Sequence, residues 1–144
     1  TLEEEFKELK FKEGVDQMED FNNKLTLFLQ LVVRRFKEER TDVDQYRFII
    51  ENSYLAAMGN LRKVAFSLKL QQTMEKDGDR MSLYEKEVEN IKSLMTDNEK
   101  AITKMDELML AMNHMDSDEK QAKLNMDASM KELEAWTQKV KLYK

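Results

Sequence analysis

Residues 81–112 read MSLYEKEVENIKSLMTDNEKAITKMDELMLAM, and the phase of their apolar side chains decides the fold. Alternate steps of three and four residues from Met81 reach Tyr84, Val88, Ile91, Met95, Asn98, Ile102, Met105, Met109 and Met112, so nine of these ten positions are apolar. Residues three and four apart share one face of a helix, and a 3.5-residue repeat held this long predicts a helix lying against other helices. Leu94, Ala101 and Leu108 widen the stripe on one side, while Glu85, Lys92, Glu99 and Asp106 border it on the other. Three apolar positions per heptad exceed what a two-stranded zipper uses and point to a bundle of three or more helices. Asn98 is the polar exception: either it is buried and fixes register through a hydrogen bond, or it meets water at the seam's edge.

Outward from this stretch the chain stays helical. The 144 residues contain no Pro and three Gly, with 37% charged and 41% hydrophobic residues, a composition of long helices rather than disorder. The fold class is all-α: an elongated antiparallel helical bundle or coiled coil of three or four long helices. One module over 1–144 is expected, and the apolar phase places its helices at about 2–38, 42–75, 79–114 and 117–143. In the first helix Leu2, Phe6 and Leu9 start a stripe that Gly14 interrupts and Met18, Phe21, Leu25, Phe28, Val32 and Phe36 continue. From Leu25 to Phe36 apolar residues surround the helix, so this segment lies in the core or in a subunit interface. Thr41 or Asp42 is placed to cap the second helix, whose stripe runs through Val43, Ile50, Tyr54, Ala57, Leu61, Val64 and Leu68. Gly59, beside Ala56 and Ala57, is tolerable in mid-helix where another helix approaches closely.

Lys76-Asp77-Gly78-Asp79 reads as a turn, with Gly78 supplying the positive φ and Asp79 able to cap the helix that follows. Beyond Met112 the register would put Asp116, Glu119 and Lys123 in the seam, so the seam ends there. Asp116 and Glu119 have capping-box spacing and Ser117 is a second cap. A last stripe follows through Ala122, Met126, Met130, Leu133, Trp136 or Thr137, Val140 and Tyr143. Either the chain turns back into a fourth helix, the preferred reading, or one helix of about 65 residues runs on for roughly 95 Å. All seven Phe precede residue 73 and nine of eleven Met follow it. Aromatic residues specify a fixed core and Met adapts to variable partners, so the second half is expected to be the adaptable surface.

Composition also bears on function. A net charge of −5, dispersed along both halves, disfavours nucleic acid and, less strongly, an anionic membrane. No Cys is present, which removes disulfides and thiolate metal sites and suits the cytoplasm. No apolar run reaches the ~18 residues of a membrane span, no signal peptide is visible, and a start at Thr1 fits an excised fragment. His114, the only histidine, has Asp116 and Asp118 nearby but no evident further ligands, so no metal or cofactor is expected. Asp77-Gly78-Asp79 is no calcium loop, since Thr73 and Tyr84 would fall at its first and last ligand positions. A lone His without Cys, and no Gly-rich phosphate loop, assemble no catalytic constellation or small-molecule site.

The reading is therefore a non-enzymatic scaffolding module that assembles with itself, as a homodimer, or with other helical subunits. Phe28, Val32, Phe36, Met95, Asn98, Ile102, Met105, Met109, Met112 and Trp136 are its seam or interface candidates. Two alternatives stand beside it. One is a membrane-binding helical dimer, similar in architecture alone to BAR-type modules. The other is a target helix at 25–40: Leu29-Gln30 followed by Arg34 resembles the start of an IQ motif, which implies a calmodulin-type partner. Arg35, Glu39 and Asp42 depart from that pattern, standing where it has Gly, a basic and an apolar residue.

Overall fold

The computed structural model describes residues 1–35, 40–74 and 78–142. It is all-helical among those residues: α1 (Leu2–Glu8), α2 (Lys12–Arg35), α3 (Arg40–Thr73), α4 (Gly78–Asn113) and α5 (Glu119–Leu142). The single helix expected over 2–38 is thus two helices. Lys10 takes φ +56, and the Lys10 and Phe11 amides donate back to the Lys7 and Phe6 carbonyls at 3.1 and 2.9 Å. That pair of bonds is a Schellman ending with Lys where Gly is usual, and the Phe6 and Phe11 rings, 5.9 Å apart, supply its customary apolar contact. The turn lets α1 fold against α2. Phe6 becomes fully buried over Gly14, where a Cβ would lie 2.7 Å from the ring.

α3 and α4 form the centre, with α2 in the groove on one side of the pair and α5 in the groove on the other; among the described residues α2 and α5 do not pack on each other. α3 and α4 run in opposite senses, since Asn60 reaches Asn98 and Gln71 reaches the Tyr84 carbonyl. α2 runs with α4, as Gln17 meets Met95, Lys24 meets Asp106 and Arg35 meets Asn113. Lys104 of α4 pairs with Glu132 of α5 at 2.5 Å, and Ser53 of α3 lies 3.2 Å from Thr137 of α5.

The ends of the helices carry further corrections. α3 begins at Arg40, so Thr41 and Asp42 lie within its first turn rather than before it. Gly78 has the expected positive φ, +57, but it already belongs to α4, so Asp79 is a first-turn residue; Asp77 lies outside the described residues. α4 and α5 are separate helices. Their junction is capped by Asp118, whose carboxylate accepts from the Gln121 amide at 3.1 Å, and not by Asp116 or Ser117. Asp116 instead pairs with Arg35, which also donates to the Asn113 carbonyl at 3.0 Å and so holds the end of α4.

The expected division between Phe and Met holds in part: Phe6, Phe21 and Phe28 are fully buried as expected, but methionines share the core and two phenylalanines leave it. Met105, Met112 and Met126 are at most 2% exposed, whereas Phe48 and Phe66 are 68% and 62% exposed. Thioether chains are flexible enough to fill the irregular space where α4 and α5 meet, so the methionine-rich half is core and not an adaptable surface.

Candidate functional site

At the middle of the molecule three amides join three helices. Asn98 is fully buried and donates to Gln17 Oε1 at 2.9 Å and to the Ala57 carbonyl at 3.1 Å. Its own Oδ1 accepts from Asn60 Nδ2 at 3.0 Å, and Gln17 Nε2 donates to the Met95 carbonyl and to Glu99. A one-turn slip of α2 or α3 along α4 would strand these groups without water, so the cluster fixes register; it offers no nucleophile or open ligand position.

The other residues anticipated as seam or interface fall around this centre. Phe28 and Val32 of α2 and Ile102, Met105, Met109 and Met112 of α4 are buried in the chain's own core, in one cluster with Met126, Met130 and Leu133 of α5. Met95 is half-buried and lines a groove described below. Trp136 packs partly buried against the core, and its Nε1, with Nε of Arg35, is buried without a hydrogen-bond partner among the described residues. Phe36 lies outside the described residues. The seam therefore joins helices of the same chain.

Beside a groove of about 820 Å³ lined in part by Phe66, Leu94, Trp136 and Val140, two further apolar surfaces stand out among the described residues. The first is an open groove of about 760 Å³ between α2, α3 and α4, lined by the apolar Phe11, Leu68, Val88, Ile91 and Met95 and by the charged Glu13, Asp16, Asp20, Lys92 and Glu99. The second is the outward face of α3, where Phe48, Leu55, Phe66 and Leu70 are 68%, 58%, 62% and 40% exposed. Leu27 on α2 and Leu110 on α4, also exposed, line a further groove of about 580 Å³ with Leu31 and Met109, while Val33, Leu83 and Leu124 are exposed elsewhere on α2, α4 and α5. The α3 face is hard to see in the sequence because a longer stripe on the same helix, through Ile50, Ala57, Leu61 and Val64, claims the core. The signal is nonetheless present: Phe48, Leu55 and Phe66 are 7 and 11 residues apart, two and three turns of a helix.

Comparison with protein-family models, with curated proteins and with solved structures gives no match. The functional reading rests on surface and charge. Among the described residues no helix is long and apolar enough to cross a membrane. Three charged side chains respond to their neighbours. Asp106, 2.7 Å away, holds the Lys24 ammonium above its ordinary range. Glu132 and Glu107 do the same for Lys104, and Lys69 draws the Glu5 carboxyl below its ordinary range. All three cations bond to a carboxylate on another helix, and so brace the packing of helices rather than a reaction centre.

Proposed function

We propose that this chain is a non-enzymatic scaffolding module, an elongated helical bundle that acts in the cytoplasm by docking the outside of its helices on other helices. One observation carries the reading: after the long seam is satisfied internally, a second row of large apolar side chains stays in water on α3, two of them phenylalanines over 60% exposed. Large apolar side chains aligned along one exposed helix face favour an interaction face, while randomly scattered single residues need no explanation.

A protein partner suits this face better than a membrane, because the charges flanking the row are of both signs: Asp44 and Glu51 toward one end, Arg62 and Lys69 toward the other. A surface for anionic lipid would carry one sign. The IQ-like segment has no support of its own, since Phe28 and Val32 are buried. Light scattering from micromolar to hundreds of micromolar tests self-association: the weight-average mass should rise above the 17.2 kDa of one chain. A constant monomer mass with a cooperative melt would remove that reading.

A further inference from the structure

We propose, building on the assembly reading, that α3 docks on a second copy of itself, two-fold and antiparallel, with Phe48 of each copy over Phe66 of the other and Leu55 over Gly59. At 100° per residue, positions 48, 55, 59 and 66 fall within about 40° of one another on the helix. The stripe therefore runs straight along the axis for about 27 Å, from residue 48 to residue 66 at 1.5 Å per residue. The charged residues of α3 on this side, Asp44, Glu51, Arg62 and Lys69, are exposed with Phe48, Leu55 and Phe66, whereas Ile50, Ala57, Leu61 and Val64 face the core.

The stripe is self-complementary. Phe48 and Phe66 each lie nine residues from position 57, and Leu55 and Gly59 each lie two. A two-fold axis crossing α3 at that point brings a large residue, Leu55, above the one position without a side chain, and sets a phenylalanine at each end of the contact. Gly59 gains a reason by this arrangement. A glycine inside a long helix weakens it, and half-buried Gly59 lies about 40° from exposed Leu55 and about 20° from exposed Phe66, on the side of α3 away from buried Ala57. In the proposed contact, close approach of the second copy would use the absent Cβ.

Charge selects the direction. Asp44 and Glu51, the latter 3.9 Å from Arg47, lie on the N-terminal half of the face and Arg62 and Lys69, the latter paired with Glu5, on the C-terminal half, so antiparallel docking sets the acidic side chains of one copy near the basic ones of the other and parallel docking sets like near like. With Phe48, Leu55 and Phe66 each more than half exposed, two copies and their flanking side chains would cover on the order of 1,000 Å², the lower bound of specific interfaces. Such an area fits a concentration-dependent dimer rather than an obligate one.

The chain has no cysteine, so single cysteines report geometry directly. With a short bismaleimide at concentrations where the mass has risen, Leu55→Cys should link to its own mate, since the two positions are about 6 Å apart along the axis. Phe48→Cys alone should not link, its mates being about 27 Å apart, but should link when mixed with Phe66→Cys. Gly59→Leu should weaken dimerisation at least tenfold while keeping a helical spectrum and melt, and Val33→Glu on α2 should leave it unchanged. Self-linking of Phe48→Cys, or full-strength association of Gly59→Leu, would overturn the proposal. A mass that rises without any of these links would mean that assembly uses another face, so the α3 proposal fails and the assembly reading survives. A monomer at every concentration would end both self-association and this interface.

Discussion

Asn98 shows how one residue sets the interior. Its side chain is completed by Gln17, Ala57 and Asn60, each from α2 or α3, so removing it leaves Gln17 Oε1 and Asn60 Nδ2 without those partners, while the Ala57 carbonyl keeps its bond within α3. Asn98→Ala is expected to cost about 3 kcal/mol, since each stranded group costs ~1–3 kcal/mol less whatever relaxation recovers. Replacing Gln17, Asn60 and Asn98 together by leucine should be far milder than the single change, because no orphan remains. Urea unfolding of both variants checks the contrast, and equal losses would contradict the account. The seam in the sequence locates Asn98 but leaves open whether it meets water; burial by α2 and α3 closes the choice. Gly14 interrupts a stripe in the sequence, whereas in the fold it is the seat of the Phe6 ring. Nothing in residue spacing announces a contact made by folding the chain back on itself.

Elements are tied together by ion pairs between helices, and these set a pH window. Lys24 bonds to Asp106 across α2 and α4, and Lys104 to Glu132 across α4 and α5; both lysines titrate above the ordinary 10.5. A raised lysine pKa adds stability that is complete below 10.5 and disappears as pH climbs through the folded-state value. Glu5, lowered beneath 4.5 by Lys69, works in the opposite direction: its contribution is complete above 4.5 and disappears as pH falls through the folded-state value. The melting temperature should therefore be flat across neutral pH and fall above about 10.5 and below about 4.5, the values from which these groups are displaced. Asp106→Asn should remove a part of the alkaline fall, in keeping with the ~0.2–1 kcal/mol of a partly exposed pair. Thermal melts at about pH 7, 9 and 11 on both proteins, bracketing the ordinary lysine range, would show it; an identical alkaline fall in the variant contradicts the assignment. Helix type and phase are legible in the sequence over all five elements, but the break between α1 and α2 is not. Lys10 is an ordinary helix former in sequence and takes a left-handed φ because the Schellman bonds and the Phe6 packing outweigh its ~1–2 kcal/mol preference against it.

Over the whole molecule, α2 and α5 cover α3 and α4 from opposite sides but not along their full length. None of residues 78–90 on α4 is buried, and on α3 burial stops at Ser67. The C-terminal end of α3 and the N-terminal end of α4 thus reach past the core with little buried apolar area to hold them. Hydrogen exchange should be fast over residues 80–88 and slow over 100–112, where Ala101, Met105, Leu108 and Met112 are enclosed, because local opening costs little where few apolar contacts break. Equal protection along α4 would contradict this picture. Helix, by composition and by the 3.5-residue phase of Met81 to Met112, was determined by the sequence by itself, because propensity and amphipathic period are local properties. Only the tertiary structure decided which stripe is consumed inside. Phe28, Val32, Asn98, Ile102, Met105, Met109 and Met112, expected at a seam or an interface, lie in the chain's own interior, and the row Phe48, Leu55 and Phe66 remains outside. Periodicity says that a face must be covered, but whether the cover comes from the same chain depends on where the turns send the neighbouring helices, and those turns are set by long-range packing.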